Sequence, residues 1–329
     1  MGMFKALVLN QDEGKTTAAV EELALTDLPD ENVLVKVDYS SLNYKDGLAV
    51  TGKGKIIRKF PMVPGIDMVG TVEESADDRY SAGDKVVLTG WGVGENFWGG
   101  YAQYARLKAD WLVPLPEGME PIRTMQIGTA GLTAMLCVMA LEEGGVTPES
   151  GPIVVSGAAG GVGSVAVAIL AGLGYKVSAI TGRPETESYL RALGASEILN
   201  RAEMAEPARP LEKQKWAGAV DTAGDTILAR ILAEADYNGV VTACGLAASF
   251  KLPSTVMPFI LRNVRLQGVD SVMCPTERRR VAWQRLLTQL PENALGDIAQ
   301  IIALSDVPDY AEKITNGQVK GRVVVDLNA

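Results

Sequence analysis

Histidine is absent from the 329 residues. That removes the commonest metal ligand and the commonest general base at neutral pH. Cysteine is scarce. Cys137, Cys244 and Cys274 stand far apart along the chain, and no pair has metal-ligand spacing. A catalytic zinc site of the usual His/Cys type therefore has no ligands, and no bound metal is expected. A Ser-His-Asp or Cys-His triad is excluded. Three scattered thiols make no disulfide framework, and a reducing cytoplasm fits them best. An excess of basic residues is also missing. The 31 Lys and Arg face 40 Asp and Glu, a formal charge of −9. Phosphate neutralisation along a nucleic acid needs the opposite balance, so no nucleic-acid partner is expected. Met1 to Lys5 contains no hydrophobic signal region. The apolar runs fall short of the ~18 residues of a spanning helix, so no membrane partner is expected.

What is present is length enough for two domains. The stretch that organises the chain is Ile153 to Ile169, IVVSGAAGGVGSVAVAI. Three β-formers run into a glycine-rich turn, Gly157 to Gly163, and an apolar helical run follows. That order is the strand, turn and helix of a dinucleotide-binding unit. Glycines let the backbone approach a pyrophosphate, and the first helical N–H groups face its charge. The fingerprint positions hold Ala158, Gly160 and Gly163, so the first glycine is an alanine.

From Met3 to about Pro116 the signals are mostly β. Phe4 to Leu9, Val33 to Tyr39, Met68 to Val72 and Lys85 to Leu88 are short β-rich runs between Gly, Asp, Asn and Pro clusters. This spacing suggests a small barrel or sandwich. A helix is expected at Tyr44 to Val50. The loop after it carries Lys53, Lys55, Arg58 and Lys59. It reads either as a solvated surface loop or as a phosphate-facing rim for a charged substrate tail. Gly90 to Tyr101 interleaves Trp91, Phe97, Trp98 and Tyr101 with glycines. It reads equally as packing at a barrel corner or as the lining of a flat ligand's cleft.

Gln126 to Leu141 is expected to be a buried helix, with a domain junction near residue 124. Beyond the glycines the pattern alternates. Strands are expected at Ile153–Val155, Lys176–Thr181, Glu197–Leu199, Ala219–Thr222, Gly239–Ala243 and Arg265–Asp270, with helices at Pro184–Leu193 and Asp225–Ala235. Six strands with helices between them give an α/β domain with a doubly wound parallel sheet. A helix at Arg278–Leu290, then Ile301–Val307, a helix at Tyr310–Thr315 and a strand at Arg322–Leu327 exceed what that sheet needs. They are expected to return to the first domain.

The end of the second strand of such a sheet selects the cofactor. An acid there would hold the adenosine ribose hydroxyls of NAD. This chain has Thr181, Gly182 and Arg183 instead. A hydroxyl and a guanidinium suit a 2′-phosphate dianion, which points to NADPH. Arg201, past the third strand, is placed to close over the same phosphate or the adenine.

Asn43-Tyr44-Lys45-Asp46, Pro64-Gly65-Ile66-Asp67, the Trp91 loop, the glycine-rich turn and Thr181-Gly182-Arg183 occur together and in this order. In them the chain resembles the zinc-free, quinone-oxidoreductase-like branch of the medium-chain dehydrogenase/reductase superfamily. Within that branch it is most similar to the group that reduces acrylyl-CoA with NADPH. Ser41–Asp67, Gly90–Asn96 and Val256–Met273 carry the more specific likeness. Zinc-dependent relatives have Gly-His-Glu where this chain has Gly65-Ile66-Asp67. The resemblance implies a discontinuous GroES-like β-barrel catalytic domain, residues 1–124 and 272–329. It implies a Rossmann NADPH-binding domain, residues 125–271, with a cleft between the two, and a homodimer joined around Arg265 to Asp270. Cofactor contacts map onto Tyr44, Ala159, Gly160, Gly161, Val162, Thr181, Gly182, Arg183 and Arg201. Leu246, Ile260, Ser271 and Asn316 would surround the ribose and nicotinamide, with Cys244 and Gly245 beside them.

The implied reaction is NADPH + acrylyl-CoA + H⁺ giving propionyl-CoA + NADP⁺. Hydride reaches the β-carbon, charge moves to the thioester oxygen, and a proton is added at the α-carbon. Tyr44 is the candidate catalytic residue. It serves either to position the cofactor or to donate a proton, since a phenol stays protonated at neutral pH. Two rival readings keep the same fold: a quinone or free-enone reductase, and an NADPH-binding protein without turnover.

Overall fold

The computed structural model describes residues 2–295 and 299–329. In chain order the elements are β1 (Met3–Asp12), β2 (Lys15–Ala24), β3 (Val33–Leu42), α1 (Tyr44–Thr51), β4 (Asp67–Ser75), β5 (Lys85–Thr89), β6 (Tyr104–Leu107), β7 (Val113–Pro114) and α2 (Pro121–Glu143). Then come β8 (Ile153–Val155), α3 (Gly161–Gly172), β9 (Val177–Thr181), α4 (Glu187–Ala192), β10 (Glu197–Asn200), α5 (Arg201–Met204), β11 (Trp216–Asp221), α6 (Asp225–Ala233), β12 (Ala235–Ala243), α7 (Met257–Arg262) and β13 (Arg265–Gly268). The chain closes with α8 (Thr276–Gln289), β14 (Ala299–Ala303), α9 (Val307–Thr315) and β15 (Arg322–Asp326).

Two compact units emerge. One holds Met1–Thr129, Val272–Gln284 and Leu295–Ala329, and the other Ala130–Ser271 and Arg285–Ala294. The sequence division kept 272–329 whole in the first domain. Arg285–Ala294 instead packs with the second unit, where Arg285 is ion-paired to Glu142 at the end of α2.

In the second unit six strands form one sheet in the order β10-β9-β8-β11-β12-β13. Every pairing in it is parallel. Counted from β8, the order is 3-2-1-4-5-6, the doubly wound sheet expected from the sequence. Its central strands β8, β9 and β11 are buried at every residue, as helices on both faces require. The order reverses between β8 and β11, so the C-terminal ends of those two strands frame the crevice where such sheets bind ligands.

The first unit is β-rich. β1 and β2 form a hairpin, and β14-β15-β3-β4-β5-β7 form a sheet that β6 joins at β3. The C-terminal β15 pairs antiparallel with β3, Val323 opposite Leu42. A cluster led by Leu7, Leu9, Val35, Met68, Tyr101 and Val325 fills the interior.

One expectation needs correcting. α2 spans 23 residues, long and apolar enough to cross a membrane by length and composition. Yet 83% of its apolar stretch is buried inside the protein, so the chain's own core takes up its apolar surface. The buried helix expected at Gln126–Leu141 is therefore present, and it extends beyond that range at both ends. The helix is also broken at Gly128, where φ is 51° and ψ is −159°.

That break faces a buried polar network. A methyl on Gly128 would lie 2.5 Å from Nη2 of Arg322, 2.6 Å from Oδ2 of Asp67 and 2.8 Å from Oγ of Ser41. Arg322 is 3% exposed and donates to the carbonyl of Gln126, to Oδ1 of Asn43 and to Oγ of Ser41. Asp67 accepts from Ser41, Asn43 and the Thr129 amide at 2.6, 2.9 and 2.8 Å. Asp46 accepts from the amides of Asn43 and Ile66 at 2.9 and 3.0 Å, closing a capping box on α1. Burial, aided by the nearby charge of Asp67, raises the Asp46 carboxyl to about 7. Burial lowers Arg322, opposed by Asp67 and Asp46.

Two tests follow from this network. Arg322→Met leaves the buried carboxylates without their cation, and the expected cost is about 3–5 kcal/mol, read as a lower urea midpoint. The second concerns pH. The folded-state value for Asp46 lies above the ordinary 3.8, so its neutral form is the stable one. Its stabilisation is complete below about pH 4 and lost as pH rises toward about 7. Asp46→Asn should flatten that decline, comparing urea midpoints at pH 5 and 7.5. An equal decline in both proteins rejects the assignment.

Candidate active site

The glycine-rich turn follows β8. Ser156 donates from Oγ to Oδ1 of buried Asp221 on β11, and burial raises that carboxyl. Thr222 in turn donates to the Ser156 carbonyl. These bonds tie the ends of β8 and β11 together at the switch point. Gly157 takes the left-handed conformation, φ 57°. This explains the alanine in the fingerprint. The turn's positive φ falls on Gly157, so Ala158 carries a methyl, fully buried, while its amide bonds to the Ile180 carbonyl at 3.1 Å. Gly163 needs its lack of a side chain for a different reason. A Cβ there would lie 2.4 Å from the Gly157 carbonyl oxygen. Gly160 caps α3 with extended backbone, so the amides of Gly161, Val162 and Gly163 have no acceptor within the helix. Open amides above a side-chain-free turn fit a dinucleotide pyrophosphate.

At the end of β9 the Thr181 hydroxyl works inside its own turn. It accepts from the Arg183 amide at 3.1 Å and meets the Thr186 hydroxyl at 3.1 Å. Thr186 itself donates to the Arg183 carbonyl. The Arg183 guanidinium reaches back to the Ala159 carbonyl at 3.1 Å, so it borders the glycine-rich turn. Arg201, at the start of α5, lies against Gly182. A methyl on Gly182 would lie 2.4–2.8 Å from its Nε, Cζ and Nη2. Two arginines thus adjoin Gly182, where an NAD-binding sheet would place a carboxylate. That arrangement fits a cofactor with a 2′-phosphate.

Ala159 to Val162, Thr181 to Arg183 and Arg201 are therefore brought together in the second unit. Leu246 follows β12 and is 64% exposed, and Ile260 on α7 is 71% exposed. Ser271 follows β13 and accepts from the Thr133 hydroxyl at 2.8 Å. Tyr44 and Asn316 belong to the first unit. Tyr44 opens α1 with its side chain half exposed, directly after the Asn43 cap. Asn316 ends α9 and accepts from Lys53 at 3.5 Å.

Some of the site was not foreseen. Ser156, Asp221 and Thr222 fix the turn, and the signal for them was a polar residue closing each apolar strand. Arg322 gave no signal, because its partners are hundreds of positions away. Cys137 and Cys244, distant in sequence, meet through their thiols, and that contact together with burial pushes Cys244 well up. Aromatic residues of the Trp91 loop make packing contacts within the first unit. Arg279 lies over the Trp91 ring at 4.7 Å, Tyr101 is fully buried with its hydroxyl on the Ser41 carbonyl, and Phe97 lies against Trp111 with the rings tilted by 52°. Among the described residues no three His, Cys, Asp or Glu side chains gather into a metal-holding group.

With this geometry in place, known proteins give the lineage. Residues 29–117 match the family model of the alcohol dehydrogenase GroES-like domain, and residues 161–288 match that of the zinc-binding dehydrogenases. The chain is 61% identical over 325 residues to the probable acrylyl-CoA reductase AcuI of Escherichia coli, covering 99% of this chain and 100% of that one. It is 57% identical over 330 residues to the acrylyl-CoA reductase AcuI of Ruegeria pomeroyi, covering 99% and 100%. The YhdH oxidoreductase of Salmonella enterica, solved in complex with NADP, superposes with a TM-score of 0.97 at 60% identity, over 98% of this chain and 99% of that one. Ile66, in the Gly65-Ile66-Asp67 motif, lies within the GroES-like match, and the chain has no histidine to fill a zinc site there. A GroES-like β-rich unit, a doubly wound parallel sheet and full-length identity of this degree place the chain in one lineage: it belongs to the zinc-free medium-chain dehydrogenase/reductase family, of the AcuI/YhdH type.

Proposed function

We propose that this protein reduces acrylyl-CoA to propionyl-CoA with NADPH. The observation that carries the reading is identity above half of all positions, end to end, with two acrylyl-CoA reductases. The residues around Gly182 support the choice of cofactor. Arg183 and Arg201 pair with the 2′-phosphate, and Thr181 holds the turn that presents Arg183. Gly182 leaves room for the Arg201 guanidinium. Gly160, Gly161 and Val162 turn bare backbone toward the pyrophosphate, with Ala159 at the rim. Leu246, Ile260, Ser271 and Asn316 contribute to the ribose and nicotinamide sites.

When bound, NADPH supplies the hydride that adds to the β-carbon of the enoyl thioester. The chain's own work is to hold the thioester and to stabilise charge on its oxygen. With no histidine, the donors come from backbone N–H groups, Asn, Tyr, Lys or water. Tyr44 stands at the nicotinamide side, where its phenol positions the ring and has a proton to donate. Asn43 and Asp46 fix Tyr44 by capping its helix. The first unit is read as the catalytic domain and the second as the NADPH-binding domain. The protein is read as a cytoplasmic homodimer. Among the described residues its edge strand β13 pairs only with β12, which supports pairing with the same strand of a second copy.

Following NADPH absorbance with acrylyl-CoA, crotonyl-CoA and a quinone side by side tests the activity. The expected result is the highest kcat/KM for acrylyl-CoA. Equal or better turnover of the quinone favours the quinone reductase, and binding of NADPH without oxidation by any acceptor favours a non-catalytic protein. Arg183→Ala should raise KM for NADPH about tenfold or more while leaving KM for NADH nearly unchanged. An unchanged ratio of the two removes Arg183 from the phosphate site.

A further inference from the structure

We propose that the loop from Gly52 to Lys59 binds the phosphates of the substrate's coenzyme A through Lys55, Arg58 and Lys59. The inference rests on the acyl-CoA reading above and assigns that substrate's charged end to named residues.

The segment from Tyr44 to Lys59 contains five cations, and the structure sorts them into two sets. Lys45 is ion-paired with Glu95. Lys53 is ion-paired with Glu312 at 2.5 Å and donates to Thr315 at 3.1 Å, which ties the start of the loop to α9. Lys55, Arg58 and Lys59 are exposed and, among the described residues, have no carboxylate within ion-pairing distance. In a chain with 40 acids and 31 bases, three unpaired cations within five residues form a local reversal of sign. Such a patch raises the local concentration of anions.

The loop that displays them is anchored. Gly52 ends α1 in the left-handed conformation, φ 68°, and sits on Thr16 of β2, where a methyl would lie 2.9 Å from its Oγ1. The Gly54 amide returns to the Leu48 carbonyl at 3.3 Å. Ile56, Ile57 and Phe60 pack on the core of the first unit. The order Lys-Ile-Ile-Arg-Lys-Phe therefore turns apolar side chains inward and cations outward. Anchoring the backbone in advance lowers the entropic cost of ordering these cations around a ligand.

Position along α1 decides which anion. Tyr44 opens the helix and the loop closes it. Eight residues at about 1.5 Å each separate the two by about 12 Å. A ligand that places a reacting group near Tyr44 and phosphates on the loop must carry them on a long arm. Coenzyme A thioesters have that form, with a diphosphate and a 3′-phosphate joined to the thioester through pantetheine. A quinone has no such charged end. Flexible lysines and an arginine suit phosphates presented on a mobile arm, the arginine adding bidentate geometry.

The test uses the full-length protein with NADPH and the variant Lys55→Gln/Arg58→Gln/Lys59→Gln. All three side chains are exposed, so the fold should survive. KM for acrylyl-CoA is expected to rise about tenfold or more with kcat nearly unchanged. The kcat/KM for acrylyl-pantetheine, which carries no phosphate, should stay at the wild-type value. Lys213→Gln, a single charge removed from the second unit, should leave both substrates as in wild type. Calorimetric titration of coenzyme A onto the protein loaded with NADP⁺ reads the site without turnover, and the triple variant should bind it correspondingly more weakly. An unchanged KM for acrylyl-CoA, an equal loss with acrylyl-pantetheine, or no binding of coenzyme A by wild type overturns the proposal. Wild-type protein that reduces neither thioester, yet binds coenzyme A in a loop-dependent way, overturns the reductase reading and leaves the phosphate site standing.

Discussion

A guanidinium sealed inside a β-rich core is tolerated only where its donors are used and opposite charge lies close by. Arg322 meets both conditions with residues from four parts of the chain. Ser41 closes β3, Asn43 caps α1, Asp67 opens β4, and Met125 and Gln126 offer carbonyls from the first turns of α2. Much else in the first unit follows. The C-terminal strand must return to β3 to deliver Arg322. The α2 helix must break at Gly128, because a side chain there would displace the network. Asp46 must face inward to cap α1, which sets the direction in which Tyr44 leaves the sheet.

The second unit is limited by space rather than by charge. At Gly163 and Gly182 the neighbouring atoms leave no room for a methyl, and at Gly157 the backbone is in the left-handed region. What fills those places is a carbonyl oxygen, a guanidinium and a tight turn. The glycines thus do two things at once. They let α3 pack against β8, and they leave backbone amides and two arginines facing outward together. The position that gave up its glycine, Ala158, is the one whose methyl points into the core. The fingerprint is therefore met in its physics while departing from it in letters.

Much of the fold was legible because its elements announce themselves locally. β8 begins and ends where the apolar run does, and six β-rich runs gave six parallel strands. The failures share a cause. β2, a polar run of Thr, Ala, Val and Glu, is a strand only because β1 pairs with it along ten residues. The helix expected from Tyr310 instead opens at Val307, because Pro308 suits a first helical turn. Pro184 to Thr186 make a tight 3₁₀ turn before α4 rather than a full helix. In each case a neighbour or a proline overrode the local apolar pattern.

The residues alone determined which chemistry was open. Without histidine or clustered cysteines there is no zinc and no triad. A glycine-rich turn after a short strand, followed by Thr-Gly-Arg, already specified a phosphorylated dinucleotide. Composition and spacing carry such information because they fix which atoms exist. Which of those atoms are free was decided only by tertiary packing. It occupied the Thr181 hydroxyl within its own turn and laid Arg201 over Gly182. Among the described residues it also paired Lys45 and Lys53 while leaving Lys55, Arg58 and Lys59 without a carboxylate. Pairing depends on distance in space, and a linear order of residues does not contain that distance until the sheets have closed.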